Sequence, residues 1–311
     1  MANRYLGVDP MLTNVAIAYK NENYIADKIF TPLPVKLQSF QHFVYDKSNM
    51  RREDTSRDKG ANSHEVELGL SKGSTYFCKD HALKMFVPNE DLKNAITPTD
   101  PYVDATENVV DRLMLDKEYS LASYMSSTSN LTSYTTLSGT SQWSDLNNSD
   151  PFAQIETGNL AVLDAVGKKP NTIIIGYSVF LKLRRHPALI ERIKYSGKGF
   201  LTASLIAEAF DVQNILIGDA NYNDADEGQT DSLAQVWGKH AWLAYIAPKV
   251  EAKMVTLGFT YKWMGTDMVV KRLRGSDEED REGLFVRAGG MYYDQKAVAP
   301  GCAYFIQNAI A

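Results

Sequence analysis

Residues 104–127 read DATENVVDRLMLDKEYSLASYMSS. Val110, Leu113, Met114, Leu121 and Tyr124 recur at helical spacing and form one apolar stripe. Asp111, Arg112, Asp116, Lys117 and Glu118 are expected to keep the other faces wet. Asp104 is placed to cap the helix, with Glu107 three residues on to complete a capping box. Such a helix lies beside an extended, charged excursion over residues 36–86. Together they predict a part that touches neighbours and not a closed pocket.

Upstream, residues 1–35 make a poor independent domain. Leu12, Val15, Ile17 and Ala18 allow a helical turn or a short strand, and Ile25, Ile29 and Phe30 follow. Pro32 and Pro34 then force an extended chain. An arm with so little core of its own must lie along something else. Residues 40–46 alternate in strand fashion, with Phe43 and Tyr45 on one side. A second extended run, 74–87, carries Phe77, Cys78 and Phe86. Between them Arg51, Arg52, Glu53, Asp54, Arg57, Asp58 and Lys59 crowd a charged tip. This predicts a long hairpin whose tip is either a solvated loop or an address read by another copy. Exposed ion pairs contribute little singly, about 0–1 kcal/mol, so they would fix register more than affinity.

Downstream, 126–151 is low in charge and rich in Ser and Thr, and is expected as a loop. Asp150-Pro151 opens a helix over 152–166. Alternation then follows: a buried strand at 172–176, helices at 177–185 and 202–210, a strand at 212–218 and a strand-like aromatic run at 233–246. From Thr256 the chain is almost all β, with GLFVRAG and MYYDQKAV expected as separate strands. The fold class is α+β.

The composition sets limits. The chain has 311 residues, 44% apolar and 23% charged, as a globular protein does. A net charge of −5 argues against nucleic-acid binding as the main task. The two cysteines, Cys78 and Cys302, sit in apolar stretches and are expected as free buried thiols. No apolar run approaches ~18 residues, and the N-terminus lacks the blocks of a signal peptide. The expectation is a soluble protein made inside the cell, with no membrane partner.

The search for chemistry finds no convincing constellation. The five histidines, His42, His64, His81, His186 and His240, fall in no zinc-ligand spacing. Cys78 and His81 make a lone C-x-x-H. Gly197-Lys198-Gly199 lacks the rest of a phosphate loop. The run from Asp219 to Gly228 begins like a calcium loop but has Asp224 where glycine is needed. Lys182, Arg184, Arg185, Arg192 and Lys194 have no aromatic platform and read as a polar helix face. No catalytic residue, cofactor or metal site is expected.

Several local runs resemble one family. NVAIAYKNENYIADKIFTPLPV (14–35) is similar to the arm of phage coat proteins, and ATENVVDRLMLDKE (105–118) to the start of their spine helix. SGTSQWSD, KPNTIIIGYSVFLKLRRHPALIERIKYS, ILIGDANYN and VWGKHAWLAYIAP resemble their axial block. In this order, over nearly the whole chain, they resemble the major capsid protein of tailed bacteriophages, with the Hong Kong 97-type fold shared by bacterial encapsulins.

The resemblance implies four parts: an N-terminal arm, 1–35; an extended loop, 36–86; a peripheral domain with a long spine helix, 87–155 and 248–311; and an α/β axial domain, 156–247. It implies hexamers and pentamers that build an icosahedral shell around double-stranded DNA, contacted weakly and without sequence specificity. The shell would lie in the virion, assembled in the bacterial cytoplasm. Partners would include a portal protein and possibly a decoration protein. Some relatives begin with a long charged segment that scaffolds assembly; arm-like sequence here starts almost at Met1, so a separate scaffolding protein is expected. Lys47 and Lys59 match no cross-linking motif, and no covalent cross-links are expected. The intersubunit contact candidates are the aromatics Phe43, Tyr45, Phe77 and Phe86 with the seven charged residues of the tip. An encapsulin-like nanocompartment shell is the alternative.

Overall fold

The computed structural model describes residues 5–45, 47–66, 69–96, 99–193, 201–226, 228–251, 254–273 and 282–311. From the N-terminus, β1 (Tyr5–Val8) leads into α1 (Pro10–Ala18), and α2 (Ala26–Ile29) into β2 (Thr31–Val35). Next come β3 (Ser39–Tyr45), β4 (Leu70–Phe77), β5 (Lys79–Pro88) and the short α3 (Asn89–Asn94). The long helix is α4 (Pro101–Ser126), 26 residues, or about 39 Å at the helical rise.

Three helices begin with the same residue pair. Asp9-Pro10, Asp100-Pro101 and the Asp150-Pro151 pair that opens α5 (Pro151–Val166) each place an extended aspartate before a proline. The carboxylates accept backbone N–H groups: Asp9 from Met11 and Leu12, Asp100 from Tyr102, Asp150 from Phe152 and Ala153. Proline has no N–H to leave unmet at the first helical position, and its φ already suits the helix. The cap expected at Asp104 is therefore corrected to Asp100. Asp104 sits one turn inside, its N–H already donated to the Asp100 carbonyl at 3.1 Å.

The segment expected as a loop after α4 carries β6 (Ser133–Thr136) and buries Leu131, Leu137 and Trp143. Beyond α5 the predicted alternation appears as β7 (Thr172–Gly176), α6 (Tyr177–Leu183), α7 (Pro187–Ile193), α8 (Ala203–Ala209) and β8 (Asn214–Gly218). The run 233–246 is not one strand. After the small hairpin of β9 (Asn221–Asn223) and β10 (Leu233–Gln235), Gly238 turns the chain at φ 55° before β11 (Ala241–Ala244). β12 (Gly258–Trp263) and β13 (Val269–Leu273) precede β14 (Gly283–Ala297) and β15 (Ala303–Gln307). GLFVRAG and MYYDQKAV are thus one 15-residue strand, with Gly290 at φ 87° at the irregularity in its pairing with β5.

Two sheets organise the chain. In the first, β14 pairs antiparallel with β12, β13 and β5, β1 adds to β13, and β2 runs parallel to β12. β2 is an outer strand, where Pro32 and Pro34 cost few ladder bonds. The second has the order β6-β15-β11-β7-β8. It takes strands from both sides of the boundaries expected at 155 and 248.

The long helix belongs to both layers. Ala105, Val109, Val110 and Leu113 pack with Leu12, Ala16, Val87, Val270 and Val286 on the first sheet. Leu121, Ala122 and Met125 join the larger core around the second, with Trp143, Trp237, Trp242 and Phe305. A third, small cluster holds Leu33, Tyr76, Cys78, Phe259, Tyr261 and Val298.

Candidate intersubunit surface

The third cluster fixes the root of the hairpin. Tyr76 stacks on Tyr261 with ring centroids 4.3 Å apart. Cys78 N–H donates to the Gln38 carbonyl at 2.9 Å, and Gln38 Nε2 returns a bond to the Cys78 carbonyl at 3.0 Å. The Phe77 N–H donates to Asp294 Oδ2 at 2.9 Å. From this root β3 and β4 run antiparallel, Ser39 opposite Phe77 and Tyr45 opposite Leu70. His42 is buried beside Gly73, where any β-carbon would collide with it.

Farther out, Asn49 closes the neck of the loop. Its Nδ2 donates to the Gly69 carbonyl at 2.7 Å, and its Oδ1 accepts the Gly69 N–H at 2.9 Å. The Met50 thioether lies against Gly167, the left-handed cap of α5. Beyond the neck every described residue from 51 to 66 is exposed. Arg51, Arg52, Glu53, Asp54, Arg57, Asp58 and Lys59 make no ion pair with one another or with the body among the described residues.

The aromatic candidates divide. Phe77 is 50% exposed, and Phe40 beside the same root is 47% exposed. Phe86 has left the hairpin: it lies in β5, half-buried, its ring 5.1 Å from Phe285. The side chains of Phe43 and Tyr45 lie outside the described residues, and so do Lys194, the 197–199 loop and most of the charged turn before β14.

The arm lies along its own chain. Asp111 Oδ1 accepts from Tyr19 Oη, Asn21 Nδ2 and Tyr24 Oη at 3.0–3.1 Å. Seven residues on, Glu118 is 0% exposed. Its carboxylate accepts the N–H groups of Ile25 (3.0 Å) and Ala26 (2.7 Å) and the indole N–H of Trp237 (2.6 Å). Burial raises the Glu118 pKa, these bonds oppose the rise, and Asp27 adds to it. Asp111 and Glu118 were expected on wet faces. Both instead fasten residues 19–26 to α4, and the arm donors they meet lie about 90 positions away in sequence.

The groups that might do chemistry are occupied by structure. Ser149 Oγ donates to the Asp145 carbonyl at 2.6 Å and stands 3.0 Å from His186 Nε2. Burial lowers the His186 pKa, and the charge of Asp150 opposes that fall. Cys78 Sγ reaches the Tyr261 carbonyl at 3.4 Å, whereas His81 stacks on Tyr293 at 4.1 Å. In the loop after β9, Asn223 Oδ1 accepts the N–H groups of Ala225 and Ser232. Among the described residues no three His, Cys, Asp or Glu gather as metal ligands.

No protein-family model matches the chain. The major capsid protein of Pseudomonas phage JBD67 is 32% identical over 322 aligned residues, spanning 100% of both chains. The chain belongs to the major capsid proteins of tailed phages. The major capsid protein of Burkholderia phage BcepMu is 29% identical over 276 residues, covering 86% of this capsid protein and 87% of its own length. A phage-related protein from Bordetella bronchiseptica RB50 superposes with a TM-score of 0.76 at 24% identity, over 97% of each chain. An encapsulin from Synechococcus elongatus PCC 7942 shares the fold at a TM-score of 0.55 and 11% identity. The capsid protein has a Hong Kong 97-type fold. It is a structural protein of the capsid, and its copies assemble into an icosahedral shell.

Proposed function

We propose that this capsid protein forms hexamers and pentamers that close around the double-stranded DNA of a tailed phage. Copies grip one another through the hairpin loop. The observation that carries this reading is the exposed loop 51–66, whose seven charged side chains make no ion pair among the described residues although the hairpin beneath them is anchored. Several weak contacts per copy make dissociation require many simultaneous breaks. Phe77 adds apolar area at the root. Phe43 and Tyr45 lie along the hairpin, and Phe86 lies where it joins the sheet.

In this reading 1–35 is the arm, 36–86 the extended loop, 87–155 with 248–311 the peripheral domain and 156–247 the axial domain. β6 and β15 lend strands to the axial sheet, and α4 is the spine. Assembly takes place in the host cytoplasm with a separate scaffolding protein and a portal, and a decoration protein can cover the finished virion. DNA is met weakly, as a net charge of −5 suits. Subunits stay free of covalent cross-links, so a denaturing gel of purified particles should show a single band.

The test is to replace 51–66 by a short Gly–Ser link above the Asn49–Gly69 neck. The variant is expected to remain folded by circular dichroism and to form no closed shells by electron microscopy. Shells of normal size would overturn the reading. The second reading, a cargo-holding nanocompartment, is favoured by the shared encapsulin fold. Particles from host extract that hold protein and no nuclease-protected DNA would decide for it.

A further inference from the structure

The geometry points to Glu118 as the residue that sets the angle between the two sheets of the subunit, and so the curvature of the shell it builds. This rests on the shell reading above. The side chains of α4 from Ala105 to Leu113 belong to the first core and those from Leu121 to Met125 to the second. Glu118 lies in the short interval between them, fully buried. It is also the one point on the helix where the described hydrogen bonds reach both the arm, through Ile25 and Ala26, and the turn before β11, through Trp237; all three residues belong to the second core, so these bonds lock that core to a helix whose first half is seated on the first.

Every donor on this carboxylate is uncharged, so the site is defined by direction. Two backbone N–H groups and one indole N–H converge on two oxygens, and shifting any partner leaves a buried polar group unmet. Trp237 in turn meets Trp242 edge-on at 5.4 Å, and Trp242 donates its indole N–H to the Met125 carbonyl at 3.0 Å. Helix, arm and second sheet are thereby held in one arrangement. A closed shell demands such a fixed angle, because every copy repeats it and a small error in each copy alters the closure.

The experiment compares Glu118→Gln and Trp237→Phe with Val109→Ala and Val162→Ala, which loosen only one core each. All are produced in a host with the phage's other head genes, and shell diameters are measured by electron microscopy. Glu118→Gln and Trp237→Phe should lose the uniform diameter and give open or mis-sized shells, while the two alanine variants keep it at matched loss of melting temperature. The double variant should assemble no worse than Glu118→Gln alone, since both changes break the same bond. Uniform wild-type-sized shells from Glu118→Gln and Trp237→Phe would overturn the inference, and so would equally poor shells from the alanine variants. Hydrogen exchange on the unassembled subunit reads the joint without any shell. In Glu118→Gln the amides of Ile25 and Ala26 should exchange faster while β7 and β13 stay protected, and unchanged exchange there would also overturn the assignment. Failure of the wild-type chain to form shells would count against the proposed function and leave this exchange test standing.

Discussion

Glu118 is a buried carboxyl group that meets no cation among the described residues, and that has a measurable consequence. Burial holds its pKa above the ordinary 4.5 in spite of the three donors, and Asp27 pushes the same way. The folded chain therefore binds this proton more tightly than the unfolded chain does. That contribution to stability is complete below pH 4.5 and is lost as pH rises through the raised value. Below the raised pKa the protonated carboxyl and the amide of Glu118→Gln offer the same acceptor and donor sides, so the two proteins should differ little there. As pH rises, wild type should lose stability relative to the variant, which does not titrate; urea unfolding between mildly acidic and neutral pH checks it, and a constant difference would contradict it. The two thiols make a simpler case. Burial pushes Cys78 up to about 11 and Cys302 up to about 12, with Asp294 adding to the rise at Cys78. Neither is a thiolate at neutral pH. Iodoacetamide should modify neither in the folded subunit and both after unfolding, as read by intact mass.

Among the elements, β14 is the most constrained, because β12, β13 and β5 all pair with it. Gly290 sits at the break in its ladder at φ 87°, and a β-carbon there would stand 2.9 Å from the Asp267 carbonyl oxygen. Gly290→Val is expected to cost about 1–2 kcal/mol from the left-handed backbone alone, with further loss from the clash. A thermal melt should show the drop, and hydrogen exchange should place it in β13 and β14. The sequence made the strands and helices of the second layer readable, because TIIIG and the Asp150-Pro151 start are strong local signals. It misled at α4 for two reasons. The Asp100-Pro101 start was the same signal as at 150–151, yet an acidic pair inside the helix imitated a cap. Glu118 follows Met114 by four residues and precedes Leu121 by three, so it lay on the apolar row all along. Its charge argued for water, and nothing local revealed the distant N–H groups that replace that water. The hairpin was legible from alternation, but the departure of β5 into the first sheet was not, since both halves of 74–87 are equally extended.

For the whole molecule, the surface that the proposed function offers to other copies is mostly charge at the loop and apolar area at the root. Charge acts over the screening length, which shrinks from about 30 Å at about 0.01 M salt to about 3 Å at about 1 M. Shell assembly followed by light scattering should therefore slow across that range, while the melting temperature of the free subunit changes little. Salt-insensitive assembly would mean that the loop charges do not steer the encounter.

The last strand of the chain, β15, lies inside its sheet, with β6 on one side and β11 on the other. At the opposite end of the sequence, β2 pairs with β12, more than two hundred positions later. During synthesis residues 31–35 must wait for residues 259–263 before they can pair in the first layer, and residues 133–136 for residues 304–307 in the second. A polypeptide cut short before residue 303 lacks the strand between β6 and β11, and so leaves both without their shared neighbour. The topology thereby makes residues 303–307 a requirement for the second layer, however much of the chain precedes them.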